Sequence, residues 1–344
     1  MNKRKILLGK TLEELKSTVS ELNLPAFTAK QIADWLYVKR VNSFDLMTNL
    51  SKKARESLNE NYEVGRIPYA QKMESVDGTK KYLFPVTREL RGCETMGIEA
   101  VMIPNAERKT ICVSSQVGCK MACVFCMTGR QGFHGNLTAG EIISQFMDID
   151  DANELTNAVF MGMGEPLDNY SEVIKAIEIL TAPWGFAWSP KRITVSTIGV
   201  LPSLKRFLEE SKCHIAISIH NAFPTERQSL MPLQKKYNIE DIVALLKNYD
   251  FTGQRRVSFE YIMFDGVNDT KQHADAMIKL LRGMECRINL IRFHQIPDCS
   301  LKTSSQGKID LFQKRLNSAG LTTTLRHSMG EDILAACGML AGKK

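Results

Sequence analysis

From residue 110 onward, short apolar runs alternate with helical segments, and this alternation restricts the possible folds more than any other feature of the sequence. Strands are predicted at 110–114, 157–161, 192–196, 214–218, 257–263, 287–293 and 322–326. Helices are predicted between them, at 138–147, 171–180, 202–210, 239–249, 270–282 and 308–318. Repeated βα units with right-handed crossovers form a parallel sheet that curls into a full or partial barrel. We therefore predict an α/β fold with a partial, TIM-like (β/α)6 barrel, whose ligands lie at the carboxyl ends of the strands.

The residues before the barrel are predicted to form two other units. In 1–66, the capping boxes Thr11-Leu12-Glu13-Glu14 and Thr28-Ala29-Lys30-Gln31, and a helix start at Ser51, indicate a small helical N-terminal domain. Residues 67–104 are predicted as a short β linker, with two strands at 80–86 and 97–104 that can pair. Residues 105–344 then hold the barrel and a C-terminal tail.

The composition is that of a globular protein in a reducing compartment. Apolar residues make up 44% of the chain, and no apolar run is long enough for a membrane helix or a signal peptide. Nine cysteines, an odd number with three close together, argue against a disulfide scaffold. The expected location is therefore the cytoplasm, with no membrane partner.

The net charge of +7 permits a nucleic acid partner without requiring one. Residues 1–66 contain twelve Lys and Arg against eight Asp and Glu, so +4 of the excess lies in this segment. Charge alone fits an RNA-contacting surface and an ordinary solvated helical surface equally well.

Three cysteines, Cys119, Cys123 and Cys126, follow the first predicted barrel strand. Three thiolates can hold three irons of a four-iron cluster and leave the fourth iron open, whereas a structural cluster or a zinc site needs a fourth ligand. The chain has no second Cys-x-x-Cys pair and no His-x-x-x-His pair. This pattern is typical of radical S-adenosylmethionine (SAM) enzymes. A zinc site completed by a distant Cys or His is the alternative.

Several polar residues are predicted at the carboxyl ends of later strands. The second strand ends in Met161-Gly162-Met163-Gly164-Glu165-Pro166, where the glycines allow close backbone approach and Glu165 can attract an ammonium group. The other candidates are Ser196, Ser218, Ile219, His220 and His294. Capping of turns by Ser and Thr, and a structural role for the histidine, are the alternatives. Cys112 and Cys337 also stand out by position, although buried cysteines often act as small hydrophobic residues.

Taken together, these motifs resemble the RlmN/Cfr family of radical SAM RNA methyltransferases over nearly the whole chain. The similarity lies in residues 28–32, 47–51, 110–119, 161–166 and 332–338. Resemblance to the RlmN branch implies methylation of carbon 2 of an adenosine in 23S rRNA, and of adenosine 37 in tRNA. Because this carbon is electrophilic and carries no acidic proton, a polar methyl transfer from SAM cannot work there.

The resemblance also implies a role for each site residue. One SAM methylates Cys337, and a 4Fe-4S cluster on the three loop cysteines cleaves a second SAM to a radical, so that two SAM are used per turnover. The methyl group of Cys337 then becomes a methylene radical that adds to carbon 2. Cys112 resolves the adduct through a disulfide with Cys337, and Glu99 accepts the proton. The implied SAM contacts are Gly164, Glu165, Ser196, Ser218, Ile219, His220 and His294, the last of which is Asn in many family members.

Partners and alternatives follow from the same resemblance. The expected partners are 23S rRNA, tRNA and an electron donor such as flavodoxin or ferredoxin, with basic residues such as Lys52 and Lys53 contacting RNA. Cfr-type methylation at carbon 8 would use the same cysteines. Pro166, where Cfr-type sequences tend to have Ala, and the N-terminal segment favour carbon 2. A non-catalytic RNA-binding protein with a structural zinc is the alternative from another class.

Overall fold

The computed structural model describes residues 4–89, 93–253 and 255–342. The first unit is helical and is closed by the parallel pairing of β1 (Lys5–Ile6) with β2 (Tyr62–Glu63). Between these strands lie α1 (Leu12–Glu21), α2 (Thr28–Ala33) and α3 (Lys52–Asn61). A π-helical turn (Asp34–Val38) continues α2, and a short 3-10 helix (Phe44–Leu46) precedes α3.

All three predicted helices of this unit are present, and two of their three predicted N-terminal caps are confirmed. The Thr11 hydroxyl accepts from the Glu14 amide at 3.3 Å, and the Glu14 carboxylate accepts from the Thr11 amide at 2.8 Å, which completes the capping box. Ser51 caps α3 through the Ala54 amide. The capping box predicted at Thr28 is wrong, because the chain already turns at residues 25–27 and the Thr28 amide donates to the Pro25 carbonyl at 2.9 Å.

Residues 67–104 form strands that belong to the barrel's own sheet. These are β3 (Gln71–Glu74), β4 (Lys80–Glu89) and β5 (Cys93–Asn105), and they pair antiparallel in that order. The predicted pairing of two strands here is confirmed. A tight turn after β5 leads into the first barrel strand, β6 (Arg108–Cys112), which pairs antiparallel with β5. The segment predicted as a linker therefore extends one edge of the sheet.

The rest of the chain builds the barrel. A small two-stranded sheet, β7 (Gln116–Gly118) and β8 (Phe133–Asn136), flanks the cysteine loop and the short helix α4 (Met127–Arg130). The later strands are β9 (Asn157–Phe160), β10 (Ile193–Thr197), β11 (His214–Ser218), β12 (Val257–Met263), β13 (Arg287–Arg292) and β14 (Thr322–Leu325). The helices are α5 (Ala139–Met147), α6 (Tyr170–Thr181), α7 (Leu201–Glu210), α8 (Pro224–Leu230), α9 (Ile239–Leu246), α10 (Lys271–Leu280) and α11 (Gln306–Ser318). Short 3-10 helices occupy Pro166–Asn169, Pro190–Arg192 and Pro232–Lys235.

The order β6-β9-β10-β11-β12-β13-β14 is parallel throughout, and β3 and β14 are the two edges of the ten-stranded sheet. The sheet is therefore open, as expected for a partial barrel, and the predicted strands and helices are confirmed to within a few residues. In the sheet and the barrel, helices α4 and α8 and strands β3, β7 and β8 were not predicted from the sequence.

The helical unit packs directly on the barrel. A side chain at Gly9 would overlap the backbone of Gly140 at the start of α5, so the two backbones touch. Arg66 pairs with the partly buried Asp148 just after α5. None of the described helices has both the length and the apolar character that crossing a membrane requires.

Candidate active site

The cysteine loop runs from the end of β7 to the start of α4. Cys119 and Cys123 are buried, and Cys126 is partly exposed. The Cys119 amide donates to the Gly132 carbonyl at 2.8 Å, and the Cys126 amide donates to the Cys123 carbonyl at 3.2 Å, so the loop folds back on itself. The fold thus places all three thiols on one short loop at the carboxyl ends of the parallel strands.

The three thiols fit a 4Fe-4S cluster. Burial, together with the neighbouring thiols, raises the pKa of Cys119 to about 12 and that of Cys123 well above its usual value. Metal coordination requires thiolates and stabilises them. Among the described residues, no three His, Cys, Asp or Glu side chains meet closely enough to hold a single metal ion. A four-iron cluster instead binds each thiolate through a different iron.

Glu165 follows a turn position that requires glycine. Gly164 has φ +97°, and a side chain there would come within 2.5 Å of Gln116. The Glu165 carboxylate is buried and accepts from the Leu167 and Ile198 amides, each at 3.0 Å. Burial raises its pKa to about 7, against the lowering effect of Thr197 and of these amides. One oxygen of the Glu165 carboxylate therefore lies near the end of β9, and the other lies near the end of β10.

A cavity of about 150 Å³ opens beside the cysteine loop and contains most of the predicted SAM contacts. It is lined by Gly164, Glu165, Ser196, Ser218 and His220 together with Cys126. Ile219 does not line it: this residue is buried, and its amide donates to the Glu260 carbonyl. The structure therefore brings together five of the seven predicted contacts.

His220 is held as a neutral imidazole. Burial and the nearby positive charge of Arg227 lower its pKa to about 3. Its Nδ1 accepts from the Ile262 amide at 3.1 Å, which places the proton on Nε2. Its ring packs edge-on against Phe125 of the cysteine loop, with the centroids 4.9 Å apart. His220 thus offers a hydrogen-bond donor to the cavity without adding charge.

Cys112 and Cys337 line one cavity of about 460 Å³, although they are far apart in the sequence. Cys112 is buried at the end of β6, and burial followed by the proximity of Cys337 raises its pKa to about 12. Cys337 is exposed, and it also borders the smaller cavity beside the cysteine loop. The Met127 amide next to the loop donates to the Gly338 carbonyl at 2.8 Å, which fixes this part of the tail. Cys337 therefore lies at the junction of the two cavities.

His294 lies in the larger cavity and not beside the other predicted SAM contacts. Its Nε2 is 2.8 Å from the Ser328 hydroxyl, and its Nδ1 is 3.6 Å from the Glu331 carboxylate. Both ring nitrogens thus face the segment that leads to Cys337.

Glu99 is buried, although the sequence alone indicates a solvated strand residue. Its carboxylate lies 3.1 Å from the Lys81 ammonium and accepts from the Ala341 and Gly342 amides at 2.7 and 3.0 Å. It lines a separate cavity with Lys81 and Met127. In this arrangement Glu99 anchors the C-terminal tail. Glu99 is buried because β4 and β5 belong to the barrel's sheet, and the sequence alone does not show this pairing.

The buried pair of Glu99 and Lys81 leads to a stability prediction. Replacing Glu99 by Gln leaves the Lys81 ammonium buried without a countercharge, so the free energy of unfolding should fall by about 3 kcal/mol. Denaturant unfolding measures this change. The matched control is Asp150→Asn, which breaks a half-exposed pair with Lys72 and should cost less than about 1 kcal/mol. Equal losses in the two variants would contradict the assignment of Glu99 as a tail anchor.

Sequence analysis missed two residues of the site, Arg326 and Glu260. Arg326 borders both cavities, and its Nη1 is 3.3 Å from the buried Glu260 carboxylate and 3.5 Å from the Met161 sulfur. Burial lowers the pKa of Arg326, but the Glu260 carboxylate and the proximity of both cysteine thiols keep it raised. Arg326 follows β14 directly, so applying the strand-end rule to the last strand would have found it.

Comparison with known proteins places the chain in a family. Residues 6–64 match the family model of the ribosomal RNA large subunit methyltransferase N-terminal domain, and residues 113–281 match the radical SAM superfamily. A probable dual-specificity RNA methyltransferase RlmN of Porphyromonas gingivalis is 55% identical over 99% of this chain and 95% of its own length. The chain belongs to the RlmN family. A protein of the same name from Bacteroides thetaiotaomicron is 56% identical over 98% of this chain and 96% of its own.

A solved structure is similar to this chain over nearly its whole length. The crystal structure of a radical SAM methyltransferase from Sphaerobacter thermophilus superimposes with a TM-score of 0.90 at 37% identity. The match covers 98% of this chain and 100% of the chain in that structure. Membership of the RlmN family makes the protein a radical SAM enzyme with a 4Fe-4S cluster and SAM as cofactors, which removes the zinc-stabilised, non-catalytic alternative.

Proposed function

We propose that this protein methylates carbon 2 of an adenosine in 23S rRNA and in tRNA through a methylated Cys337. The observation that carries the proposal is the position of Cys337 at the junction of two cavities. One contains five of the seven predicted SAM contacts, and the other contains Cys112. A methyl group on Cys337 could thus be activated from one side and meet the RNA base on the other.

The bound cluster and SAM supply one-electron cleavage that generates a radical able to take hydrogen from a methyl group. Cys119, Cys123 and Cys126 hold the cluster, while Gly164, Glu165, Ser196, Ser218 and His220 orient SAM in the cavity beside it. His220 contributes a neutral N–H, and Glu165 contributes negative charge for the amino group. Ile219 stays outside this set, because its amide donates to the Glu260 carbonyl and its carbonyl accepts from Arg227. His294 faces the tail and is assigned to positioning the segment before Cys337.

Cys112 and Glu99 complete the chemistry. Cys112 is a protonated thiol at pH 7 in this arrangement, because burial raises its pKa to about 12. Once a base has taken its proton, Cys112 would attack the Cys337 sulfur: the S–S bond forms as the bond between that sulfur and the methylene carbon breaks, and the released electron pair lets this carbon take up a proton and become the methyl group. A thiol reductant must then reduce the disulfide before the next turnover. Glu99 is the proposed acceptor of the proton from carbon 2. Because its carboxylate now binds Lys81 and the tail amides, residues 341 and 342 must leave before it can act.

The proposal includes the reaction's partners. An adenosine must leave its stack to enter a barrel mouth, and RNA loops permit this at low cost. The proposed electron donor is a protein such as flavodoxin or ferredoxin, which would supply the electron that SAM cleavage needs, and two SAM would be used per turnover. We place the reaction in the cytoplasm, where reducing conditions keep the cluster-binding thiols free of disulfides. Carbon 2 is favoured over carbon 8 because the relatives matched over the whole chain carry the name RlmN.

Mass spectrometry of RNA treated with the reconstituted enzyme tests this function. A 23S rRNA fragment and tRNA are incubated with SAM and a reductant, then digested to nucleosides. The expected product is 2-methyladenosine from both RNAs. Formation of 8-methyladenosine, or no methylated adenosine from either RNA by a cluster-loaded enzyme that cleaves SAM, would overturn the proposal.

The basic surface at the start of α3 is the proposed contact for RNA. Lys52 and Lys53 are exposed, and Lys52 makes only a 3.8 Å surface pair with Glu56. Reversing both charges should weaken RNA binding and lower the slope of log affinity against log salt concentration by about 2, since fewer counterions are released. Filter binding at several salt concentrations measures this slope.

The matched control reverses the charges of Lys191 and Lys212. Both are exposed, and they precede β10 and β11 at the amino ends of the strands, away from the cavities. This variant should keep the salt slope of the original protein. SAM cleavage without RNA should stay unchanged in both variants. If the Lys52 and Lys53 variant keeps its slope, RNA binds elsewhere.

A further inference from the structure

A buried positive charge lies beside the cysteine loop without a carboxylate partner. Arg227 in α8 is 1% exposed. Its guanidinium forms no salt bridge with any residue that the structure describes. Burial lowers its pKa to about 10, and Cys123, in its thiolate form, is the group that opposes this lowering. An isolated charge in a protein interior is costly unless another charge compensates it. The compensating charge for Arg227 is therefore to be sought in the cysteine loop.

Hydrogen bonds fix the guanidinium but leave its charge uncompensated. Nε donates to the Ile219 carbonyl at 3.0 Å, and Nη2 donates to the Ser218 and Ile198 carbonyls at 3.0 and 3.1 Å. Nη1 donates to the Gln234 side-chain oxygen at 2.5 Å. All four acceptors are neutral. Each guanidinium nitrogen has an acceptor, and four of the five N–H groups are used, so hydrogen bonding accounts for the orientation of Arg227 but not for the presence of a charge.

The helix that carries Arg227 touches the cysteine loop directly. The amide of Val124, the residue after Cys123, donates to the carbonyl of Leu230 at 3.1 Å. Leu230 is the last residue of α8, one turn from Arg227. His220, which also lies nearby, is neutral because burial and Arg227 lower its pKa to about 3. Arg227 is thus the fixed positive charge on this side of the loop.

We propose that Arg227 is the countercharge of the iron–sulfur cluster and raises its reduction potential. The inference rests on the cluster that family membership assigns to Cys119, Cys123 and Cys126. Three thiolates make the loaded loop an anion, and reduction adds one more negative charge. A fixed cation stabilises the reduced form more than the oxidised form, and the low dielectric of the interior strengthens this effect. Arg227 therefore acts by tuning the electron acceptor and does not need to contact SAM or RNA.

A redox titration of the cluster, followed by EPR on the full-length reconstituted protein without SAM or RNA, tests this role. Variants are compared at equal iron and sulfide content. In Arg227→Gln, the ratio of reduced to oxidised cluster at a fixed solution potential should fall about tenfold, which corresponds to about 59 mV for one electron. Arg227→Lys keeps the charge, so its ratio should stay within about threefold of the original protein.

Gln234→Glu tests the same charge without removing the arginine. The new carboxylate accepts the same hydrogen bond from Arg227 and neutralises its charge, so the reduced fraction should also fall about tenfold. This variant decides the question even if Arg227→Gln does not fold. The control is Arg255→Gln, which removes an arginine that donates to the Leu208 and Ser211 carbonyls away from the loop. It should leave the potential unchanged.

The proposal has clear contrary outcomes. An unchanged potential in Gln234→Glu overturns it, as does an unchanged potential in a fully loaded Arg227→Gln protein. Equal shifts in Arg227→Gln and Arg227→Lys would show that the hydrogen bonds and not the charge set the potential, which also overturns it.

Discussion

RNA crosslinked to the protein should accumulate in Cys112→Ala and be absent from Cys337→Ala. Cys337→Ala removes the methyl acceptor, so no covalent adduct forms and methyl transfer is abolished. Cys112→Ala keeps the acceptor but lacks the thiol that would release the product. Among the described residues that line this cavity, Cys112 and Cys337 are the only cysteines. No other thiol there can therefore replace Cys112. The crosslinked species should therefore persist and copurify with the protein.

Denaturing electrophoresis with and without ribonuclease distinguishes the two variants. The double variant of Cys112 and Cys337 should trap no RNA, because the adduct needs Cys337. The matched control is Cys213→Ala, a buried cysteine that precedes β11 at the far ends of the strands, and it should turn over normally. Normal turnover by Cys112→Ala, or trapped RNA in Cys337→Ala, would show that the proposed roles are wrong.

Replacing any one of Cys119, Cys123 or Cys126 by Ala should abolish the absorbance of the cluster and the cleavage of SAM. Three thiolates are the smallest set that holds a four-iron cluster with one open iron, so the loss should be complete in each variant. Iron analysis and the visible spectrum of anaerobically reconstituted protein measure cluster loading, and the yield of 5′-deoxyadenosine measures cleavage.

Cys299→Ala is the control for the loop. Cys299 is partly exposed, and its thiol lies 3.8 Å from the Val124 carbonyl, so it touches the same loop without belonging to the motif. This variant should keep its iron and its activity. A full cluster and normal cleavage in any one of the three loop variants would contradict the assignment of that cysteine as a ligand.

Local sequence patterns predicted most of the secondary structure because they report forces that act within a few residues. Thr11, Thr138 and Ser51 mark helix starts, because their hydroxyls accept from amides three residues later. Thr28 has the same pattern but lies inside its helix, because the turn from Pro25 already satisfies the first amides. A local pattern therefore fails where the preceding chain supplies the same hydrogen bonds.

The site shows a different division. The three loop cysteines and the Gly164–Glu165 turn could be predicted because their spacing along the chain is itself the chemical requirement. The position of Arg227 could not be predicted. The sequence of the short helix α8 gives no sign that its arginine is buried near the cysteine loop. Glu99 was expected in solvent, and its burial follows from a strand pairing and a tail contact that join distant segments.

By itself, the sequence determined the order of strands and helices, the partial barrel and the cysteines that can hold a cluster. These properties depend on periodicity, on turn residues and on ligand spacing within one short segment. Only the tertiary structure decided that residues 67–104 extend the barrel's sheet, that Cys112 and Cys337 share a cavity, and that Glu99 anchors the tail. The physical reason is that each of these contacts joins residues far apart in the chain, and their burial is set by the packing of the whole sheet.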